Sequence, residues 1–414
     1  MLFVALKKSA IKTDIKQAVD RDESVSAMEP LLVAEGSSSR ASLNDLTIDL
    51  AAASAGLRRS LPPDVVKALA DLVRGMNCYY SNLIEGHDTH PVDIERALKN
   101  DYSKNPQKRD LQLEAKAHVS VQQWIDSGGL VSNAMSAEAL CEIHRRFGEL
   151  LPPELLKIRN TDTPETLIVV PGELRHVDVK IGRHVPISPG AIARFLSRFS
   201  SRYGGLGKSE TILAAAAAHH RLLWIHPFLD GNGRVARLMT HAVLLKALET
   251  GGIWSVARGL ARNESRYKSH LADCDLPRRG DRDGRGALSE EALVEFTRFF
   301  LETCLDQVRF MESLVQPDRL RGRILAWAEE EVRAGNLPIQ AGRILEAVLF
   351  RGELRRAEVP GIVGAQERHS RRVLSTLLEQ GVLVSESSRA PLRLYFPARL
   401  ASHWMPGLFP SSTG

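Results

Sequence analysis

The sequence predicts a mainly α protein with two small β-hairpins. Apolar residues recur every three or four positions over most of the chain, as in Val65, Val66, Leu69, Leu72, Val73 and Met76, the spacing of a helix with one buried face. Alternation is confined to short runs: Val177-Asp178-Val179-Lys180-Ile181, and the pair Val382-Leu383-Val384 and Leu392-Arg393-Leu394-Tyr395-Phe396. These read as hairpin strands. The 414 residues are 43% apolar and 25% charged, a balance that supports a sizeable core and two or three domains.

Taken in order, residues 1–60 carry no steady period at first, and Glu35-Gly36-Ser37-Ser38-Ser39 reads as a flexible link. This region is expected to be poorly ordered or loosely docked. Helical patterns follow over 64–86, with Asp64 as N-cap, and over 91–98, 111–125 and 137–147. Leu167-Ile168-Val169-Val170 is β-prone before the Pro171-Gly172 turn, and 177–187 reads as a hairpin turning at Gly182-Arg183-His184. Helices are expected again over 191–203, 211–224, 233–248 and 288–314. His118, His144 and His219 lie inside helical patterns and read as packed, structural histidines.

Composition narrows the function classes. The net charge of +5 is mild and argues for no nucleic-acid partner by itself. Cys78, Cys141, Cys274 and Cys304 form no Cys-x-x-Cys pair, so neither a zinc site nor a disulfide framework is indicated, and a reducing cytoplasm suits them. No run of about 18 apolar residues occurs, so no membrane span is expected.

The densest chemistry lies in His226-Pro227-Phe228-Leu229-Asp230-Gly231-Asn232-Gly233-Arg234-Val235-Ala236-Arg237. A loop here enters a helix N-terminus, whose first amides lack intrahelical acceptors and whose dipole attracts anions. Gly231 and Gly233 let the backbone approach a phosphate, and Arg234 and Arg237, three apart, offer fork-shaped donors to a polyphosphate. Asp230 supplies a hard oxygen for Mg²⁺ on those phosphates. His226 is the side chain suited to proton transfer near neutral pH.

This run fills every specified position of His-Pro-Phe-x-(Asp/Glu)-Gly-Asn-Gly-Arg-x-x-Arg, the signature of the Fic family, which the chain resembles over about residues 60–315. Ser81, Glu85 and Gly86 match a second pattern, the (Ser/Thr)-x-x-x-Glu-(Gly/Asn) inhibitory helix of some members. The resemblance implies a Fic-type helical bundle over 61–316 with an inhibitory helix near 64–86, and transfer of AMP from ATP-Mg²⁺ to a Ser, Thr or Tyr hydroxyl of a protein. His226 would be the base and Asp230 the metal ligand. Gly231, Asn232, Gly233, Arg234 and Arg237 would bind the nucleotide phosphates. Asn263 and Tyr267, four apart on one expected helix face, would lie near the adenine. Glu85 would pair with Arg237 and block the productive nucleotide pose. The hairpin containing Val177, Asp178, Val179 and Lys180 would be the flap, docking an extended segment of the target by strand addition. A partner, a change in a homodimer or automodification would move the helix. Two rivals follow: a de-AMPylating or bifunctional enzyme in which the glutamate activates water, and a nucleotide-sensing regulator that binds DNA.

The second rival rests on the C-terminal part. After Pro317, residues 318–414 hold fourteen arginines, no lysine and ten acids, so they carry +4 of the chain's +5. Helices over 324–332, 341–350, 355–363 and 367–380, followed by the last hairpin, resemble a winged helix-turn-helix domain spanning 317–414. Arg368, Arg371 and Arg372 stand where a recognition helix would meet phosphates or base edges. Contact with DNA and contact with protein both stay open.

Overall fold

The computed structural model describes residues 18–159 and 166–410. Apolar periodicity becomes helix nearly throughout. Helix α1 (Arg40–Arg59) buries Leu43, Leu50 and Leu57 along one stripe. Helix α2 (Pro63–Ile84) begins with Pro63 in its first turn, where a missing N–H is no loss. Asp64 sits inside that turn rather than at the cap, which is Pro62. Helices α3 (Pro91–Leu98), α4 (Pro106–Asp126) and α5 (Ala137–Glu149) follow. Strands β1 (Lys157–Arg159) and β2 (Thr166–Ile168) then pair antiparallel, Ile158 opposite Leu167.

The centre is the antiparallel pair α7 (Lys208–Ile225) and α8 (Asn232–Leu248), entered through α6 (Ile192–Tyr203). Ala214, Ala215, Ala216, Ala217 and Ala218 are all buried. Their small side chains let the two helices lie close, and neither helix has a solvent stripe because others surround them. Helices α9 (Val256–Arg262), α10 (Glu264–Cys274) and α11 (Glu290–Val315) complete this layer. Helix α1 packs on α11 and α7, and α2 packs on α4 and α9.

Two expectations are corrected. Residues 18–60 are neither poorly ordered nor loosely docked: α1 is a core helix, and 18–34 runs as a strap across α6 and α7. Asp20 pairs with Arg194, and Glu29 with Arg198 at 2.6 Å. Tyr203 donates its hydroxyl to Leu31 O at 2.6 Å. These partners lie some 170 residues away, so no local pattern could announce them. Residues 1–17 lie outside the described residues. Second, 177–180 forms no strand. Burial alternates there as expected, with Val177 and Val179 half-buried and Asp178 and Lys180 exposed. However, the hairpin closes with one bridge, between Ile181 and His184. The side chain of Arg175 takes the Val177 carbonyl at 2.9 Å, an acceptor a ladder would use.

At Gln316 the chain turns into α12 (Pro317–Arg333) and α13 (Ala341–Arg351). Strand β3 (Glu353–Leu354), α14 (Val359–Val363), α15 (Glu367–Glu379), β4 (Leu383–Val384), β5 (Leu392–Leu394) and α16 (Ala401–Trp404) follow. The last hairpin pairs Leu383 with Leu394, and β3 adds on its other side in the order β3-β5-β4. Two residues are too few to show a period, which is why β3 was not expected. The helix expected over 355–363 is a 3₁₀ turn followed by the five residues of α14.

This last part grips α2 at both ends. Arg393 pairs with Asp64 at 3.0 Å, and Tyr80 donates its hydroxyl to Leu408 O at 3.0 Å. No helix among the described residues is long and apolar enough to cross a membrane.

Candidate active site

The site is the turn from α7 into α8. His226 closes α7 in the left-handed region at φ 51°, and Gly231 caps α8 at φ 78°. The first is costly for a residue with a Cβ and persists only where its surroundings impose it. Asn232 holds the loop: its Nδ2 donates to Phe228 O at 2.8 Å, and its Oδ1 accepts from Phe228 N at 3.0 Å. This side chain, expected among the phosphate-binding residues, is thus 2% exposed and engaged by the loop. Phe228 stacks on His144 with ring centroids 4.1 Å apart, and His144 Nδ1 accepts from Gly172 N at 2.8 Å. The loop is therefore fixed from two sides before any ligand enters.

Gly231 makes no side-chain cap, and Val235 N–H is the first to reach it, at 2.9 Å to Gly231 O. The amides before Val235 form an anion seat. A carboxylate stands beside that seat. Glu85 Oε1 lies so close to Gly233 that a Cβ there would collide with it, and Arg237 Nη1 would stand 3.1 Å from the same Cβ. Arg237, 3% exposed, pairs through Nη2 with Glu85 Oε1 and donates Nε to Ser81 Oγ at 2.8 Å. Ser81 is fully buried. Glu85 ends α2 and the chain leaves at Gly86, φ 84°. Burial pushes the Glu85 carboxyl upward, but the charge and hydrogen bond of Arg237, with Arg234 behind, hold it below its ordinary range.

Arg234 is held differently. Nη1 lies 3.4 Å from Glu114 and Nη2 3.7 Å from Asp230, and the guanidinium sits 4.9 Å over the Phe147 ring. Glu114, on α4, is a contributor no sequence signal marked. The Asp230 side chain is 53% exposed, so its oxygens stay open to a cation that takes its remaining ligands from phosphate and water. Among the described residues no three His, Cys, Asp or Glu side chains cluster as a metal cage.

His226 Nδ1 faces Leu223 O at 3.3 Å. With the proton on Nδ1, that contact leaves Nε2 as the acceptor. Burial lowers this imidazole to about 4, and Arg175 and His184 act in the same direction. It is neutral at pH 7.

Asn263 and Tyr267 stand one turn apart but differ in exposure. Asn263 is exposed at the corner between α9 and α10, its amide donating to Gly259 O at 3.0 Å. Tyr267 is 2% exposed and its hydroxyl meets His219 Nε2 at 2.7 Å, whose Nδ1 meets Thr240 at 2.9 Å. Asn263, at φ −117°, is the N-cap of α10, and its carbonyl accepts from Tyr267 N–H at 2.9 Å. In the flap, Asp178 pairs with Arg21 at 2.5 Å, and Lys180 is exposed. An open depression of about 1730 Å³ lies between 26–39 and the 278–295 region, far along the chain from the motif. The motif cleft, bordered by Glu114, His144, Asp230 and Arg234, holds about 30 Å³. The motif borders this cleft through Asp230, Gly231 and Arg234, while Arg237 lies behind them against Glu85.

The class is thus a mainly helical protein built around a histidine-bearing anion seat between two antiparallel helices. Residues 134–244 match the Fic/DOC family model. This region is a Fic/DOC domain, and it contains the whole of 226–237 but not Ser81 or Glu85. The protein adenylyltransferase Fic of Culex quinquefasciatus is 30% identical over 176 residues, 41% of this chain and 31% of that protein. The one from Nematostella vectensis is 31% identical over 176 residues, 41% of this chain and 37% of that protein. The chain therefore spans about a third of the length of these curated relatives. A solved Fic family protein from Desulfovibrio desulfuricans G20 aligns over 84% of this chain and 95% of that one, with 16% identity and a TM-score of 0.47.

Proposed function

We propose that the protein is an adenylyltransferase that moves AMP from ATP to a protein hydroxyl, and that Glu85 holds it inactive. The observation that carries this reading is the Glu85 carboxylate seated against Gly233 and paired with Arg237, where a nucleotide phosphate would bind. In the open state the target Ser, Thr or Tyr oxygen attacks the α-phosphorus. The new O–P bond forms, the bond to the β-phosphate oxygen breaks, and pyrophosphate leaves. His226 Nε2 takes the hydroxyl proton, a contribution of about 10² to 10⁴ in rate. The free amides at the start of α8 receive the charge that develops on the α-phosphate oxygens, and Arg234 and Arg237 hold the outer phosphates. Asp230 would hold Mg²⁺, which supplies charge neutralisation on the phosphates when bound. The flap over 177–187 would dock an extended segment of the target.

A second reading is favoured by the same carboxylate. Glu85 is 35% exposed, so it can reach a water, and removal of AMP from a modified protein would use it as the activating group. For 317–410, we propose a winged helix-turn-helix module whose α15 presents exposed Arg368, Arg371 and Arg372 to DNA. A salt-dependent mobility shift lost in Arg368→Ala/Arg372→Ala tests that part. The four cysteines are unpaired, which supports a cytoplasmic setting.

Purified protein, ATP labelled at the α-phosphate, Mg²⁺ and a lysate as target source test the main proposal. Glu85→Gly should label strongly, wild type weakly, and Glu85→Gly/His226→Ala not at all. If all three stay dark while nucleotide binds, transfer is refuted, and a pre-modified substrate then tests removal.

A further inference from the structure

Arg175 is 3% exposed and faces no carboxylate within bonding distance among the described residues. Each of its three side-chain nitrogens donates instead to a carbonyl oxygen. Nε donates to His226 O at 2.8 Å, Nη1 to Val177 O at 2.9 Å and Nη2 to Ile187 O at 2.6 Å, while its backbone N–H reaches Pro227 O at 2.9 Å. One side chain thereby joins the motif loop to both limbs of the flap. Burying a guanidinium without a counter-ion is costly, and carbonyl dipoles only partly offset it. Burial, with the charge of Arg21 in the same direction, brings Arg175 down to about 10 against the opposing charges of Asp178 and Glu23. A core that needed only shape would be served by an apolar side chain.

The carbonyl held by Nε belongs to the left-handed residue, His226. Turning that peptide back toward ordinary helix would relieve its φ of 51° but would move the imidazole. We propose that Arg175 is the positioning residue of the catalytic histidine: its planar fork fixes the His226 carbonyl and the two limbs of the flap in one geometry, so the base and the docked target hydroxyl are registered to each other. A single ammonium in its place could not span three carbonyls set around a plane.

The proposal rests on the transfer reading, so the parent for the test is Glu85→Gly. Arg175→Lys in that background should lower kcat about 10²-fold, the scale of a small misplacement of reacting groups, while KM for ATP stays within about threefold, because the phosphate seat is built by other residues. Arg175→Gln, which keeps a planar amide but no charge, should lose a similar factor. In it the acid limb of the pH–rate profile should move upward, since the charges facing His226 come from Arg175 and His184 on the flap and Asp230 in the loop. Arg175→Lys should leave that limb in place. A folded variant with kcat within threefold of the parent overturns the proposal, as does a loss carried wholly by KM. Should the parent itself fail to transfer AMP, the transfer reading falls, and Arg175 is then judged by NMR titration of the His226 ring. A rise in Arg175→Gln but not in Arg175→Lys supports the placement, and an unchanged titration in both refutes it. If Arg175→Lys does not fold, Arg175→Gln alone decides, by kcat and by the ring titration.

Discussion

Replacing Glu85 with Gln should tighten ATP binding by about 30-fold. Arg237 is claimed twice in the proposed scheme, by the carboxylate and by a phosphate, so whatever the pair contributes is subtracted from nucleotide affinity. Breaking a fully buried pair from one side costs about 3–5 kcal/mol, and exposed pairs contribute about 0–1 kcal/mol. Here Arg237 is 3% exposed and Glu85 35%, so water can replace part of the carboxylate's work, and Ser81 Oγ keeps Nε satisfied at 2.8 Å. A net worth of about 2 kcal/mol follows, and at 1.4 kcal/mol per decade this is about 30-fold in Kd. Calorimetric titration of wild type and Glu85→Gln with ATP-Mg²⁺ reads the number, and the initial labelling rate at subsaturating ATP should rise by the same factor. Because the pair is largely buried, the ratio should persist at about 0.5 M salt. A change below twofold in both measurements would refute the idea that this ion pair is the latch.

Three further outcomes follow from the same geometry. The Glu85 carboxyl is held below its ordinary range, so the latch is fully present above the unfolded value of about 4.3 and is lost only as pH falls through the lower folded value. Wild type should therefore stay weakly active at pH 6, and labelling that rises sharply between pH 7 and 6 would count against the latch. Burial lowers His118 and His219 to about 3 and His144, His220 and His226 to about 4. The unfolded chain thus binds more protons than the folded one between about pH 4 and the unfolded histidine value near 6.5. Thermal stability should be flat between about pH 7 and 8 and fall steadily below about pH 6.5, and a flat melting temperature down to about pH 4.5 would contradict it. Gly233→Ala places a Cβ against Glu85 Oε1 and Arg237 Nη1, so the latch should open and the seat should also become too narrow for phosphate. ATP binding should weaken at least tenfold by calorimetry, in contrast to Glu85→Gln.

Much of the site could be read before any coordinates. Residues 226–237 are contiguous, and the roles proposed there, apart from the loop bonds of Asn232, follow from residue type and from entry into a helix N-terminus. Glu85 lies 152 positions before Arg237 and was reached only through a short pattern. Its contact with Gly233 arises where the C-terminal end of α2 meets the first turn of α8. Glu114 and Arg175 were not found at all, because a helix-face glutamate and a hairpin arginine look solvated until something buries them. The loop role of Asn232 was missed for the same reason, since a side chain that bonds its own turn and one that waits for a ligand have the same spelling.

The division follows the range of the forces. Helix periods, the Gly-x-Gly turn, the arginine pair and the final hairpin are decided within a few residues of chain, where propensity and backbone geometry act, and the sequence alone determined them. The strap over 18–34, the core position of α1, the differing exposure of Asn263 and Tyr267 and the three-carbonyl seat of Arg175 depend on partners brought together by burial. Only the tertiary structure decided those, because desolvation and ion pairing act between segments whose distance in sequence carries no information about their distance in space.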